Sequence, residues 1–182
     1  GGAATWSANL IVPATMPEAD VGFIIMEVGE YPPMSGSNTI CTATVLLETG
    51  ILPMTEPETR FTLEAPGGLV GIVATCRQGR CERIKFTNVP CFVWHLDHAL
   101  EVEGMGTISV DIAYGGMVYA VADAEALGFR VEADEARDIA AAGERIRIAA
   151  AEQIEAIHPE NPGINTVSIV TIAAPIVDHG GG

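Results

Sequence analysis

Short apolar runs, bounded by glycine, proline and polar residues, dominate the chain and predict β-strands. Their length and composition are those of half-buried strands in a small domain. The clearest run is 107–113, in which Ile108, Val110 and Ile112 alternate with polar residues. The predicted strands are residues 9–12, 21–26, 61–64, 69–76, 81–88, 107–113, 117–122 and 166–173.

Two other segments have helical spacing. The first runs from residue 38 or 39 to Thr49 and is followed by Gly50, a residue suited to a left-handed helix end. Apolar residues cover much of its circumference, which is typical of a buried helix. The second runs from about residue 134 to 157, with apolar residues three and four apart. Hairpin-connected strands with two helices predict a mixed α+β fold with a mostly antiparallel sheet.

Composition and charge narrow the class of function. The chain has 182 residues, 48% of them hydrophobic and 18% charged, which is typical of one folded domain or two small lobes. A formal net charge of -15 excludes nucleic acid and anionic membranes as expected partners. No apolar run is long enough to span a bilayer, and no secretion signal is recognised. We therefore expect a cytoplasmic protein.

The cysteines and histidines do not predict a metal site. The four cysteines lack the paired spacing of a zinc site: Cys41, Cys76, Cys81 and Cys91. Cys76 and Cys81 flank a predicted turn and could form a disulfide across a hairpin, but without a secretion signal we expect reduced thiols. His95 and His98 lie beside Asp97, and no third and fourth ligand follows, so surface histidines are favoured.

The segment 34–38 carries the candidate chemistry. It joins an extended approach to the first predicted helix, whose first N–H groups have no intrahelical partners and, with the helix dipole, form an anion site. A substrate carboxylate bound there would place Ser35 beside the α-carbon. The same Ser-Gly-Ser-Asn run is also a good helix N-cap. It is not the nucleophile elbow of hydrolases, which needs a glycine two residues before the serine.

Residues 30–41, continuing through 45–50, closely resemble the first catalytic motif of the proline racemase family. That family includes proline racemases, 4-hydroxyproline 2-epimerases and trans-3-hydroxyproline dehydratases. Supporting resemblances lie at 2–9, 88–93 and 110–116, and the likeness extends to about Ile176.

The resemblance implies a diaminopimelate epimerase-like two-lobe fold, with antiparallel sheets curled around central helices. Residues 1–113 would form most of the first lobe and residues 114–182 the start of the second, so the fold is expected to be incomplete here.

The same resemblance implies a function and a set of site residues. The expected reaction is proton transfer at the α-carbon of proline or a hydroxyproline, without a cofactor and without a metal. Ser35 is the implied catalytic residue, Gly36, Ser37 and Asn38 are the implied substrate-binding residues, and Asp111 is a candidate for the cleft. The implied partner is a small-molecule substrate, and a homodimer is the candidate assembly.

Three departures from the family pattern keep alternatives open. Ser35 stands where the racemases have cysteine, Ser37 stands where many members have histidine, and the second motif, an Asp-Arg-Ser-Pro-Cys-Gly-Thr-like run, does not occur. A serine hydroxyl is a far weaker acid than a thiol. We therefore expect this chain to supply one half-site of a racemase or 2-epimerase, an isomerase. The alternatives are a trans-3-hydroxy-L-proline dehydratase, a hydro-lyase, and a non-catalytic carboxylate-binding fragment.

Overall fold

The computed structural model describes residues 7–27 and 30–176. The chain divides into two compact units between Cys91 and Phe92. Most of the segment 2–9, which supports the family resemblance, lies outside the described residues. The lobe boundary expected between residues 113 and 114 stays a prediction.

The first unit is built on a five-stranded sheet in the order β1-β2-β3-β4-β5. Its strands are β1 (Ala8–Val12), β2 (Val21–Met26), β3 (Glu58–Ala65), β4 (Gly68–Arg77) and β5 (Arg80–Thr87). β2 and β3 are parallel, whereas the other neighbours are antiparallel. Parallel neighbours need a crossover connection. Helix α1 (Gly36–Glu48) lies in this crossover, between β2 and β3.

The core of the first unit lies between α1 and strands β4 and β5. β4 buries every second residue, namely Val70, Ile72, Ala74 and Cys76. Leu46 of α1 is fully buried, and such a side chain contributes roughly 1.5–3 kcal/mol by leaving water. The alternation of β4 therefore fixes which face of the sheet receives the helix.

α1 is buried on one side only. This corrects the prediction of a buried helix, which was based on the apolar residues around much of its circumference. Its buried face combines Asn38, Thr39, Thr42, Ala43, Leu46 and Leu47. Ile40 is 40% exposed and Val45 is 54% exposed. The reason is that β4 and β5 contact the helix from a single side. The helix also begins two or three positions earlier than predicted, because Gly36 and Ser37 are already helical.

The second unit repeats the parallel strand–helix–strand arrangement. Its strands are β6 (Phe92–Val102), β7 (Gly106–Tyr114), β8 (Val118–Asp123) and β9 (Ile169–Ala173), in that order across the sheet. β8 and β9 are parallel, and helix α2 (Ala136–Gln153) connects them after a 3₁₀ turn (Ala133–Glu135). Ile146 of α2 and Leu100, Val110 and Ile112 of the sheet are almost fully buried. These side chains form the core of the unit.

Three sequence predictions in the second unit need correction. β9 begins at Ile169 rather than at residue 166. β6 was not predicted, because its pairing with β7 shifts register twice, between Val93 and His95 and between His95 and His98. Each shift breaks the alternation on which strand prediction depends. α2 ends at Gln153 rather than near residue 157, since Ile154 turns into extended backbone (φ -113, ψ 121) while remaining 5% exposed.

The predicted mixed α+β class with mostly antiparallel sheets is confirmed. Within the described part of the chain, neither helix is long and apolar enough to cross a membrane.

Candidate functional site

An extended segment leads into the N-terminus of α1 and fixes the position of Ser35. Tyr31 and Pro32 each precede a proline, which disfavours helical backbone at both residues. The carbonyl of Pro33 accepts a hydrogen bond of 2.7 Å from the N–H of Gly67, in the turn between β3 and β4. Ser35 itself is extended (φ -140, ψ 121) and is the N-cap residue of α1. The chain therefore turns sharply at this serine.

The first turn of α1 presents backbone donors next to Ser35. The N–H of Thr39 donates to the carbonyl of Ser35 at 2.9 Å, which is the first hydrogen bond of the helix. The N–H groups of Gly36, Ser37 and Asn38 precede this bond, so the helix does not use them. Ser35 and Gly36 are half-buried and Ser37 is exposed. Together with the helix dipole, these donors suit a carboxylate.

The hydroxyl of Ser35 does not cap the helix. Ser35 occupies the N-cap position, but its side chain makes no capping hydrogen bond. Instead, Ser35 Oγ accepts a hydrogen bond of 2.9 Å from Nδ2 of Asn38. The capping interpretation of this run therefore does not account for the hydroxyl.

Asn38 is the centre of a polar network that sequence reasoning did not find. Its side chain is 7% exposed, and its Nδ2 also donates to Oε1 of Glu27 at 2.6 Å. Its Oδ1 accepts from Nδ2 of Asn9 at 3.0 Å. Asn9 pairs with Ile25 across β1 and β2, so the strand pairing brings Asn9 close to Glu27 at the end of β2. A single acid after a strand has no characteristic spacing, so the sequence carried no signal for Glu27.

Gly36 lies where β5 closely approaches the start of α1. A Cβ atom at this position would lie 3.1 Å from Cζ of Phe86 and 3.6 Å from its Cε1. A larger residue would require the ring to shift by a few tenths of an ångström. The glycine therefore lets β5 pack directly against the first residue of α1.

Asp111 lies in the second unit, on β7. Its Oδ1 accepts a hydrogen bond of 2.9 Å from the N–H of Asp97, a residue with a φ of 51° at the irregular part of β6. Asp111 lines an open cavity of about 490 Å³ together with Asp97, Ser109 and Asp123. The observed contact is that of a carboxylate stabilising a turn, and a role for Asp111 in a substrate cleft stays a prediction.

The described residues contain no group of three or more side chains that could hold a metal ion. The rings of His95 and His98 lie 5.0 Å apart, centroid to centroid, on β6.

The four cysteines are free. Cys76 and Cys81 face each other between β4 and β5, as the hairpin pattern predicted. Burial raises the pKa of the Cys81 thiol, and the neighbouring Cys76 raises it further.

Comparison with known proteins identifies the family. The profile of the proline racemase family matches residues 1–181. A probable proline racemase from Agrobacterium radiobacter, solved with bound carbonate, is 40% identical with a TM-score of 0.88, and the match covers 96% of this chain and 51% of that one. A hydroxyproline epimerase from Agrobacterium vitis, solved with bound trans-4-hydroxy-L-proline, is 42% identical with a TM-score of 0.85, covering 90% and 48%.

A more distant structure shares the fold alone. Methylitaconate-delta-isomerase is 18% identical with a TM-score of 0.51, and the match covers 78% of this chain and 46% of that one. The present chain thus spans about half the length of the solved structures that it matches. Both proline-type relatives carry the two-lobe fold that the sequence resemblance implied, and the match extends over nearly the whole of this chain. The chain therefore belongs to the proline racemase family.

Proposed function

We propose that this chain supplies one half-site for cofactor-independent proton transfer at the α-carbon of proline or a hydroxyproline. The observation that carries the proposal is the position of Ser35, whose hydroxyl lies at the open N-terminus of α1 and is not used as a helix cap. The two relatives, a probable proline racemase and a hydroxyproline epimerase, support the substrate class. The proposal includes a cytoplasmic location and a homodimer as the assembly.

The first turn of α1 is suited to both binding and catalysis. The N–H groups of Gly36, Ser37 and Asn38 would hold the substrate carboxylate, which places the α-carbon next to Ser35. When the α-carbon loses its proton, negative charge moves into the carboxylate. The same donors then bind more strongly, and an interaction that strengthens toward the transition state lowers the barrier.

Serine at position 35 favours an unequal pair of acid/base groups. A serine hydroxyl is a much weaker acid than a thiol, so Ser35 is not suited to take a proton unaided at neutral pH. The second acid/base group would have to come from residues other than those proposed for this half-site. This inequality also supports the alternative, a trans-3-hydroxy-L-proline dehydratase, since loss of water does not require protonation of the opposite face of the α-carbon.

Proton NMR in D2O tests the proposal. The chain is incubated with L-proline, trans-4-hydroxy-L-proline and trans-3-hydroxy-L-proline, and the Cα–H signal is followed. For a half-site, we expect loss of that signal, or a dehydrated product, for at least one substrate with the chain extended to the length of its relatives and not with the present chain, and we expect Ser35→Ala to abolish it. Ser168→Ala is the matched control, because Ser168 is also half-buried but lies in the second unit.

A second arm separates catalysis from binding alone. The test is repeated with the chain extended to the length of its relatives. Exchange in the extended chain but not in the present one supports a half-site. Binding of the three substrates by both folded chains, without any exchange, would favour the carboxylate-binding alternative and refute the catalytic proposal.

A further inference from the structure

Three side chains from separate elements converge on Asn38. Asn9 comes from β1, Glu27 follows β2, and Ser35 precedes α1. Their hydrogen bonds use both amide hydrogens of Asn38 and its carbonyl oxygen. Because Asn38 is 7% exposed, water contributes little to holding this amide, and the protein groups determine its orientation.

Glu27 determines which end of the amide faces Ser35. An ionised carboxylate only accepts hydrogen bonds, so the amide must turn its NH₂ group toward Oε1 of Glu27, 2.6 Å away. Nδ2 then also reaches Ser35 Oγ at 2.9 Å. Turning the amide over would bring its Oδ1 against the Glu27 carboxylate. It would also remove the acceptor from Asn9.

The orientation of Asn38 decides how Ser35 uses its hydroxyl. With Nδ2 as its neighbour, Oγ accepts a hydrogen bond, and the hydroxyl hydrogen is left to point elsewhere. With Oδ1 as its neighbour, Ser35 would donate that hydrogen to Asn38 instead. Only the first arrangement offers the proton to a bound substrate.

We infer that Glu27 is a positioning residue that acts through Asn38 and presents the proton of Ser35 to the substrate. This inference rests on the proposed function. In the reaction, the second acid/base group first removes the proton from one face of the α-carbon. The electron pair left on the carbon then forms the new C–H bond as the Oγ–H bond of Ser35 breaks. The resulting alkoxide retains the hydrogen bond from Asn38 until the proton taken by the second group returns to it through water.

The inference can be tested without any substrate by placing a thiol at position 35. In Ser35→Cys, the hydrogen bond from Asn38 favours the thiolate, which is the form that reacts with iodoacetamide. The alkylation rate at position 35 is measured by fragment-ion mass spectrometry. Cys41 is exposed on the same helix and serves as an internal reference for reagent and folding.

We expect Glu27→Ala, combined with Ser35→Cys, to slow alkylation at position 35 about three- to fivefold relative to Cys41. The amides of Asn38 and Asn9 can then turn over together, because the buried Oδ1 of Asn9 makes no hydrogen bond of its own and can accept one from Asn38. Ser35 thereby loses its donor. Removing a negative charge would by itself have the opposite effect, because it favours the thiolate. Measurement in about 1 M salt, where the Debye length is about 3 Å, reduces the part of this charge effect that acts through solvent. Glu27→Gln removes the same charge and measures the remainder.

Companion variants distinguish positioning from a general loss of structure. Glu27→Gln retains an acceptor oxygen and should keep the rate within about twofold of the parent. Asn38→Asp has the same shape but no side-chain donor, so it should slow alkylation at position 35 as much as Glu27→Ala does. This variant tests the inference if Glu27→Ala does not fold. Glu18→Ala removes an exposed carboxylate of the same unit and should change nothing.

An unchanged or faster rate in folded Glu27→Ala, or an equal fall in Glu27→Gln, would overturn the positioning role. Because no substrate is present, neither result depends on whether the chain catalyses exchange. Failure of this inference and failure of the proposed function are therefore separate outcomes.

Discussion

Substitutions at neighbouring positions of α1 measure how the helix is buried. Leu46→Ala removes three carbons from a side chain that is 0% exposed. At about 0.8 kcal/mol for each buried carbon, the transfer cost is about 2.4 kcal/mol. The residual cavity raises the expected loss of unfolding free energy to about 3–4 kcal/mol.

Val45→Ala is the matched control. Val45 is 54% exposed, so losing two carbons costs about 0.7 kcal/mol. The better helix propensity of alanine returns about 0.5 kcal/mol, which leaves a net change near zero.

Hydrogen exchange followed by mass spectrometry can read these changes in the first unit alone. The two compact units do not guarantee a single unfolding transition, so a probe of the whole chain would mix them. Amides of β4 and β5 should lose protection in Leu46→Ala and keep it in Val45→Ala. Equal losses in the two variants would refute the one-sided burial of α1, and a loss below about 1 kcal/mol for Leu46→Ala would refute its place in the core.

Two further predictions concern a carboxylate and a thiol pair. The pKa of Glu64 lies below its ordinary value, because the Thr15 hydroxyl, the Met16 N–H and the Thr15 N–H donate to it. Its contribution to stability should therefore be complete above the unfolded-chain pKa of about 4.3 and be lost as the pH falls through the lower folded value. Thermal unfolding of the parent and of Glu64→Gln should differ at pH 7 and converge in acid, and a difference that persists in acid would contradict this. The backbone N–H of Cys76 donates to the carbonyl of Pro57, and the backbone N–H of Cys81 donates to the side chain of Glu48. The two cysteines are therefore a non-hydrogen-bonded pair between β4 and β5. Cα atoms in such a pair are about 4.5 Å apart, which is within the range of a disulfide. Oxidised glutathione at mildly alkaline pH should form this disulfide, so each chain should lose the mass of two hydrogens and two glutathione thiols should be released. The same mass loss in Cys81→Ser would show that another pair had reacted.

Regular elements of the fold were predictable because their side chains alternate or recur without interruption. β2 was predicted with its observed bounds, Val21–Met26. β6 was missed because its two register shifts remove the period of two. α2 was predicted too long, since Ile154 continues the apolar spacing although it packs from extended backbone. The spacing of apolar residues indicates which side chains face the core, but it does not show whether those residues have helical or extended backbone.

The candidate site was predictable only where it lies within one segment. Ser35 and the first turn of α1 form a continuous run that resembles a family motif, so the sequence identified them together. Asn9 and Glu27 join the site through strand pairing and through Asn38, and neither belongs to that run. A hydrogen bond between elements depends on the three-dimensional pairing, and no local pattern records it.

The hydrogen bonds around Asn38 also have consequences for the order of folding. The bond to Ser35 spans three residues, the bond to Glu27 spans 11 and the bond from Asn9 spans 29. The short bond can form with the helix itself. The bond to Glu27 must wait until the end of β2 meets α1, and the bond from Asn9 must wait until β1 has also paired with β2. A refolding chain should therefore pass through a stage in which α1 is formed but Ser35 is not yet oriented. The orientation of this serine becomes one of the last events in the formation of the first unit.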